Sequence, residues 1–283
     1  MSGPSIFAQS SRSWLQNVAD ALVSVVFPAD CRLCERLLTH GTRLPICDDC
    51  LASFHPMPSI LCQVCGQPLQ VTAPPAETDG QTSIDWPPPP IDASTLPCPA
   101  CNASTFSFAR ARSYSIYQGL LARAIVMLKF ERIDPLANWF AQRLQEIVHR
   151  EPAALAADVV VSVPLHRDRY KERGYNQADL IAKPLAKLLK LPYQPVLLVR
   201  TRPRPDKQLL SFAERWEIVR GAFATRPGSQ VDNKRVLLVD DVLTTGATLD
   251  ACSQALRAAG AKSVIGLTIA RAARQIIPGS PES

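Results

Sequence analysis

In the last third of the chain, an apolar segment runs directly into two carboxylates, a small hydroxyl-rich turn and a helix-forming stretch. Residues Val236–Thr248 read Val-Leu-Leu-Val-Asp-Asp-Val-Leu-Thr-Thr-Gly-Ala-Thr. An apolar run of this kind that ends at turn residues is typical of a buried strand in a parallel sheet. This order of elements constrains the fold more than any other feature, because it places two acids and a helix N-terminus at one end of a sheet.

The chemistry of this segment suits a sugar phosphate. Asp240 and Asp241 can accept hydrogen bonds from the two vicinal hydroxyls of a ribose, and we predict that both are catalytic. Backbone N–H groups at a helix N-terminus favour a phosphate, because orphan donors and the helix dipole both point towards it. The predicted ligand-binding residues after the acid pair are Val242, Leu243, Thr244, Thr245, Gly246, Ala247 and Thr248. The alternative is an ordinary turn that caps a helix, which would not require the full order of elements.

The remainder of the C-terminal half alternates strand and helix patterns, which favours an α/β fold with a parallel sheet. Strands are predicted at Asp158–Val163, Val196–Arg200, Gly221–Thr225, Arg235–Asp240 and Ser263–Ala270, and helices at Ala178–Leu189 and Thr248–Ala259. Pro184 predicts a kink or a late start in the first of these helices. The spacing of apolar residues between positions 107 and 150 predicts helices there as well.

Eight of the nine cysteines occur in four Cys-x2-Cys pairs. Two thiolates on one tight turn reach a single tetrahedral ion and a second pair completes its shell, so four pairs supply two structural Zn²⁺ sites. We pair them sequentially, with Cys31, Cys34, Cys47 and Cys50 on one ion and Cys62, Cys65, Cys98 and Cys101 on the other. A crossed pairing stays open at this point. A disulfide framework is the competing interpretation, and it is typical of secreted chains.

These patterns divide the chain into four parts. Residues 1–30 contain an amphipathic helix, and residues 31–106 contain the double zinc ribbon. Within the ribbon, the proline-rich insert 67–97 has too few apolar residues to order itself, so we predict that it is disordered. Residues 107–272 form the α/β domain, and residues 273–283 are predicted to be a flexible tail.

The charge distribution indicates an anionic ligand. The 283 residues carry a formal charge of +6, and the basic excess is concentrated between Pro164 and Arg220, which suits a polyphosphate or a nucleic acid. No apolar run reaches the roughly 20 residues that cross a bilayer. The N-terminus also lacks the basic region and cleavage site of a signal peptide. We therefore expect a cytoplasmic protein that does not insert into membranes.

Together these motifs resemble the competence protein F (ComF) family, a branch of the type I phosphoribosyltransferase-like proteins that has an N-terminal double zinc ribbon. Besides the cysteines and the loop after Asp240, the motifs that carry the resemblance are Lys129-Phe130, Val163-Pro164, Arg173–Gln177, Gln208-x-x-Ser211, Arg215 and Gly221–Phe223. Two features depart from the family pattern. The proline-rich insert is longer than usual, and Ile218 stands where the family usually has asparagine.

The resemblance implies an α/β fold with a doubly wound parallel sheet of the type I phosphoribosyltransferase kind, preceded by the small four-cysteine double zinc ribbon module. It also implies a ligand, 5-phosphoribosyl 1-pyrophosphate (PRPP), bound with Mg²⁺. The acid pair would hold the ribose and Thr244–Thr248 the 5′-phosphate. The turn Leu165–Arg169, with Leu165 and Arg167, would meet the pyrophosphate.

Further site residues follow from the same resemblance. The segment Arg202–Phe212, which contains Lys207, would close over the ligand, and Arg173 would contribute positive charge. Two interpretations stay open for the next residues: Asn176 caps the following helix, or Tyr175 and Asn176 contact a base or nucleotide.

The resemblance implies a role in DNA uptake during natural transformation, with single-stranded DNA and competence DNA-processing proteins as partners. Phosphoribosyl transfer to an unidentified nitrogen nucleophile stays open, and so does the oligomeric state. The alternative is a true phosphoribosyltransferase of nucleotide metabolism, of the amidophosphoribosyltransferase or salvage type, that has no DNA role.

Overall fold

The computed structural model describes residues 30–38, 44–69, 97–103, 105–203, 212–228 and 231–272. The chain divides into two compact units, residues 1–54 and residues 55–283. Three of the sequence predictions fall outside the described residues: the helix within residues 1–29, most of the proline-rich insert (70–96) and the tail 273–283. Lys207 lies outside them as well.

The first unit contains two cysteine turns. In the first turn, Cys31 N–H donates to the carbonyl of Arg36 at 2.8 Å, and Glu35 N–H donates to the carbonyl of Cys31 at 2.7 Å. The second turn leads into the short helix α1 (Asp48–Ala52), which has Cys47 at its N-cap and a buried Cys50. The two turns therefore bring four thiols to one place.

The second unit is built on a four-stranded parallel sheet. Its strands, in spatial order, are β1 (Arg110–Ile116), β6 (Ser263–Arg271), β5 (Arg235–Leu243) and β2 (Val159–Ser162). The register places Leu237 of β5 between Val160 of β2 and Ile265 of β6. All four residues of β2 are buried, as expected for a parallel strand that is covered on both faces.

Helices cover both faces of this sheet. On one face, α4 (Asp134–Arg150) and α6 (Gln177–Leu189) pack against each other and against the strands. On the other face, α8 (Ala247–Ala258) joins Val236 and Leu238 of β5 in one hydrophobic cluster through Cys252 and Leu256. Successive strand residues point to opposite faces, so Leu237 and Val239 point away from α8. The predicted doubly wound parallel fold is therefore confirmed.

The remaining elements are short or flank the sheet. They are α2 (Pro99–Ala103), α3 (Gly119–Glu131), α5 (Arg167–Arg173), β3 (Leu198–Arg200), α7 (Phe212–Val219) and β4 (Phe223–Thr225). Strands β3 and β4 pair with each other in an antiparallel ribbon outside the four-stranded sheet. None of the helices in the described part of the chain has the length and hydropathy of a membrane span.

The structure differs from the sequence-based expectation at three places. Residues 107–150 are not all helical, because Arg110–Ile116 forms strand β1. Its polar residues are satisfied by partners that are distant in sequence: the hydroxyls of Ser113 and Thr268 lie 2.7 Å apart, and Arg112 Nε donates to Glu151 at 2.8 Å. Helix α6 begins at Gln177, so Pro184 does not delay its start. Strand β5 continues beyond Asp240 to Leu243.

Candidate functional site

The loop between β5 and α8 is shaped by Gly246. This residue is the N-cap of α8 and has φ +90°, a left-handed conformation that costs little only for glycine. A Cβ atom at this position would also lie 3.1 Å from Cε1 of Phe106. The loop is closed by two bonds: Ala247 N–H donates to Thr245 Oγ1 at 3.2 Å, and Asp250 N–H donates to the Gly246 carbonyl at 2.8 Å. The first amides of α8 are thereby fixed in position.

Asp240 and the threonines of the loop line one small cavity. The full lining is Asp240, Val242, Leu243, Thr244, Gly246, Thr248, Leu249 and Thr268. The cavity measures about 20 Å³, which is room for a water molecule and not for a ribose.

Asp241 has different partners. Its carboxylate lies 2.5 Å from Nζ of Lys129 on α3, and it accepts a hydrogen bond of 3.5 Å from Nε2 of Gln177 on α6. The amide of Asp241 donates to Asp240 Oδ1 at 2.9 Å. The two acids are thus in contact through the backbone, but only Asp240 lines the loop cavity.

The environment drives the pKa values of the two acids apart. Burial, together with the negative charge of Asp241, raises the pKa of Asp240 well above its usual value. Burial acts in the same direction on Asp241, but the Lys129 ammonium and hydrogen bonds outweigh it, so the pKa of Asp241 is lowered. Two neighbouring carboxylates whose pKa values are driven apart in this way are typical of functional sites, because contact between like charges disfavours ionisation of one of them.

The C-terminus of α3 is held in place by Tyr175. This buried side chain donates from its hydroxyl to the carbonyl of Leu128 at 3.0 Å and accepts from Arg132 N–H at 2.9 Å. Lys129 lies between these two anchored positions, so its ammonium is directed to Asp241. Sequence reasoning placed Lys129 in a family motif but did not assign it to the site, since nothing local links it to an acid 112 positions away.

The residues predicted around the pyrophosphate lie in or next to α5. Val163 N–H donates to the carbonyl of Val239 at 2.9 Å, so the turn that begins at Pro164 starts beside the acid pair. Leu165 is half-buried in this turn, and Arg167 is exposed at the first position of α5.

Asn176 caps α6. Its Oδ1 accepts from Ala178 N–H at 3.1 Å, and its Nδ2 donates to the carbonyl of Val163 at 3.0 Å. Of the two interpretations left open by the sequence, the structure shows the cap. Arg173 ends α5, and its Nη1 donates to Oε1 of Gln177 at 2.6 Å.

The eight paired cysteines form two clusters in the sequential grouping. The thiols of Cys31, Cys34, Cys47 and Cys50 lie within 4.8 Å of one another, and so do those of Cys62, Cys65, Cys98 and Cys101. Four thiols around one point fit a structural Zn²⁺ site and leave no position for water.

Backbone donors favour thiolates in both clusters. Burial raises the pKa of Cys31, but N–H groups that include that of Cys47 outweigh it and bring the value to about 6. A hydrogen bond from Cys65 and further backbone donors lower the pKa of Cys62 to about 4, against the effect of burial. Not every thiol shares this effect, since burial raises the pKa of Cys50, and contact with Cys62 together with burial raises that of Cys65. Each cluster thus stabilises one thiolate by itself, and a zinc ion would supply the charge that deprotonates the others.

Comparisons with known proteins agree with this architecture. Residues 177–278 match the phosphoribosyl transferase domain family, and residues 22–81 match the double zinc ribbon domain family. The DNA utilization protein YhgH of Escherichia coli K12 is 33% identical over 178 residues, which cover 62% of this chain and 78% of that protein. Competence protein F of Haemophilus influenzae is 34% identical over 116 residues, or 41% of this chain and 51% of that protein. The chain belongs to the ComF family. 

Solved structures that resemble this ComF-family chain overlap with only part of it. A glutamine PRPP amidotransferase from B. subtilis complexed with ADP and GMP aligns with a TM-score of 0.31 and 25% identity, over 47% of this chain and 26% of that chain. An adenine phosphoribosyltransferase from Thermoanaerobacter pseudethanolicus aligns with a TM-score of 0.30 and 15% identity, over 46% and 79%.

In this ComF-family chain the second cysteine cluster is fastened to the sheet by two buried arginines. Arg271, the last residue of β6, donates from Nη1 to the Cys65 carbonyl at 2.7 Å and from Nη2 to the Cys65 sulfur at 3.4 Å. Its Nε donates to Oε1 of Gln67 at 2.6 Å. Arg112 of β1 donates to the carbonyl of Gln63 at 3.1 Å. Sequence reasoning missed both contacts, because they join residues that lie far apart in the chain.

Proposed function

We propose that this protein binds PRPP together with Mg²⁺ at the loop between β5 and α8. The observation that carries the proposal is the shared cavity in which Asp240 faces Thr244, Gly246 and Thr248 at a helix N-terminus. The match of residues 177–278 to the phosphoribosyl transferase domain family supports it, because that range contains the whole loop.

In the proposed complex each part of the ligand meets a different group. Amides and hydroxyls of Thr244–Thr248 receive the 5′-phosphate, and Asp240 accepts a hydrogen bond from a ribose hydroxyl. Asp241 acts through Lys129, whose side chain is one-quarter exposed and adds positive charge beside an anionic ligand. Leu165 and Arg167, the first residue of α5, meet the pyrophosphate.

The donor groups fit a magnesium ion that arrives with the ligand. Apart from the two cysteine clusters, no group of three or more metal-ligating side chains converges among the described residues. Mg²⁺ commonly keeps several waters and binds through one or two carboxylates plus substrate phosphates. Asp240 supplies such a carboxylate once it is ionised. The ion would neutralise charge on the pyrophosphate.

Phosphoribosyl transfer is a further step of the same proposal. A nitrogen nucleophile would form a bond to C1 of the ribose while the bond from C1 to the pyrophosphate oxygen breaks, and pyrophosphate would leave. The protein would stabilise the leaving charge with Lys129, Arg167 and Arg173. The competing proposal, a salvage-type enzyme without a DNA role, requires the same site and a free base as the acceptor.

Isothermal titration calorimetry with PRPP and Mg²⁺ tests the binding site. We expect Asp240→Asn to weaken binding at least about tenfold, because one charge-assisted hydrogen bond contributes roughly 1.5–3 kcal/mol. Replacing both acids with alanine should abolish binding. Asp158→Asn is the matched control, since Asp158 pairs with Arg235 at the opposite end of β5. Equal affinity of the Asp240→Asn variant and the wild type would contradict the site assignment.

We also propose that the protein acts on single-stranded DNA in the cytoplasm during DNA uptake. The names of the relatives, DNA utilization protein and competence protein, support this role, and so does the formal charge of +6. The test is fluorescence anisotropy with a labelled oligonucleotide at 50 to 200 mM salt. Affinity should fall steeply with salt as counterions are released. A flat salt response, or formation of a nucleotide from PRPP and a free base at enzymatic rates, would favour the salvage alternative.

A further inference from the structure

An aromatic ring stands exposed next to the proposed site. Phe130, in the last turn of α3, is 67% exposed, the largest value among the large apolar side chains for which the structure describes exposure. Val126, one turn earlier on the same side of α3, is 44% exposed. Single exposed apolar residues are common, so exposure alone says little. The surroundings of Phe130 are more informative.

A cation already stacks on this ring. The guanidinium of Arg173 lies 4.9 Å from the centroid of Phe130, within the range of a cation–π contact. Arg173 is itself fixed by the 2.6 Å hydrogen bond to Gln177. The ring and the guanidinium therefore form a preorganised flat surface and not two independent mobile side chains.

The same surface is connected to the acid pair. Gln177 bonds to Asp241 at 3.5 Å, and Asp241 pairs with Lys129 at 2.5 Å. Lys129 precedes Phe130 directly in the sequence. The Gln177 side chain thus contacts both Arg173 and Asp241, so the guanidinium that stacks on Phe130 is one side chain away from the acid pair of the proposed site.

We propose that Phe130 and Arg173 form a platform on which a nucleobase stacks beside the PRPP site. Aromatic rings and arginine planes stack any base, because every base presents a π-face. The positive charge of the Arg173 guanidinium also complements the negative charge of an adjoining phosphate. The inference rests on the proposed function, and it assigns the acceptor side of that site to a nucleobase, free or within a single strand.

The alternative partner for an exposed aromatic ring is a second copy of this chain. The described apolar area around Phe130 is small, since Val126 is the only other exposed large apolar residue of α3. Stable protein interfaces bury about 800 Å² per partner, and a cationic platform of two stacked side chains is better matched to a base.

The test compares Phe130→Ala with Phe130→Trp, which keeps an aromatic surface. The probes are a fluorescein-labelled 15-nucleotide oligothymidine and an abasic 15-mer with the same phosphates. Phe130→Ala should weaken binding of the first probe by about 5- to 150-fold, which is the range for one stacked base. Binding of the abasic strand should change less than twofold, and Phe130→Trp should restore affinity. Val196→Ala, at a residue that is 54% exposed on a different element, is the control.

The outcomes separate the platform from its alternatives. Equal loss on both probes, or no loss on either, overturns the platform, provided that the thermal midpoint shows a folded variant. A dimer in sedimentation velocity that Phe130→Ala dissociates also overturns it, in favour of a contact between copies. Competition by millimolar free bases indicates an acceptor site, and its absence with intact strand binding indicates a DNA site; both support stacking. Wild-type protein that stacks bases but does not bind PRPP would instead refute the proposed function alone.

Discussion

The ion pair between Asp241 and Lys129 gives two neighbouring carboxylates different pKa values. A buried pair of like charges is costly, so one member is neutral unless a cation compensates it. Lys129 compensates Asp241 at 2.5 Å, which leaves Asp240 with the raised pKa. A magnesium-bound ligand would supply the missing positive charge to Asp240. Binding of such a ligand would lower the raised pKa of Asp240, so PRPP affinity should rise with pH through that pKa.

A second ion pair allows a stability prediction with a defined sign. Asp158 accepts hydrogen bonds from the Arg235 guanidinium and backbone amide at 2.6 to 3.1 Å. These bonds lower the pKa of Asp158 to about 2. Because the folded-state pKa is depressed, the stabilisation is fully present above the unfolded value near 4 and is lost as the pH falls towards 2.

We therefore expect Asp158→Asn to lower the free energy of unfolding by about 0.5–1 kcal/mol at pH 7, a modest value because both side chains are about 40% exposed. The difference between variant and wild type should shrink steadily between pH 4 and pH 2. Urea unfolding at several pH values measures it. A difference that stays constant at low pH would show that the carboxylate charge is not responsible.

At the scale of elements, the loop before α8 and the cysteine pairs were predictable because each is a pattern of residues that lie close together in the sequence. Strand β1 was not, since its sequence Arg-Ala-Arg-Ser-Tyr-Ser-Ile lacks an apolar run. It is a buried strand only because Thr268 and Glu151 supply partners for Ser113 and Arg112.

The candidate-site contacts that the sequence did not predict also depend on partners that are distant in the chain. One such contact pairs Lys129 with Asp241, and another pairs Phe130 with Arg173. Both connect elements that are distant in the chain. No local propensity or periodicity encodes such pairs. They follow from the order of strands in the sheet, which brings the ends of α3 and α5 to the same edge as the acid pair.

The close approach of Phe106 to the loop makes Gly246 testable as part of an element. An alanine here would have an unfavourable φ of +90° and a Cβ atom 3.1 Å from the Phe106 ring. We expect Gly246→Ala to destabilise the protein by about 1–3 kcal/mol and to weaken PRPP binding measurably, because the amides of α8 would shift.

Gly228, between β4 and β5, is the matched control for this substitution. It also has a positive φ, +77°, but a Cβ atom there would meet nothing within 4 Å. Gly228→Ala should therefore show only the conformational cost of about 1 kcal/mol. Chemical denaturation measures the loss of stability in both variants, and calorimetry measures their PRPP affinity. If Gly228→Ala weakened PRPP binding as much as Gly246→Ala, the loop would not be the binding element.

At the scale of the whole molecule, the two zinc clusters have different settings. Residues 31–50 belong to the first compact unit, whereas Cys62–Cys101 belong to the unit that contains the sheet. Arg271 connects the second cluster to the sheet. It is buried and its guanidinium faces Cys65. It is also the last residue of β6, next to the end of β5. The second cluster is thus part of the α/β core in a way that sequence spacing alone does not reveal.

Single cysteine variants in the two clusters should consequently differ. Cys65→Ser removes the thiolate that Arg271 faces, so we expect it to destabilise the sheet unit by about 3–5 kcal/mol, the usual cost of breaking a buried charge pair. Hydrogen exchange should accelerate in β1 and β6, and PRPP affinity should fall. Cys34→Ser, in an exposed position of the first cluster, should leave exchange in those strands unchanged.

Zinc content, measured with a chromogenic chelator after denaturation, makes the comparison quantitative. The wild type should release about two ions per chain and each variant about one, because a four-thiolate site that loses a ligand binds zinc poorly. The two variants would then match in metal content and differ only in which unit has lost its ion. Equal protection of the β6 amides from hydrogen exchange in the two variants would mean that the carbonyl of Cys65 and Gln67 hold Arg271 in place without the metal. Faster exchange in Cys65→Ser alone would show that the second zinc ion stabilises β6, the strand beside β5 and the loop that precedes α8.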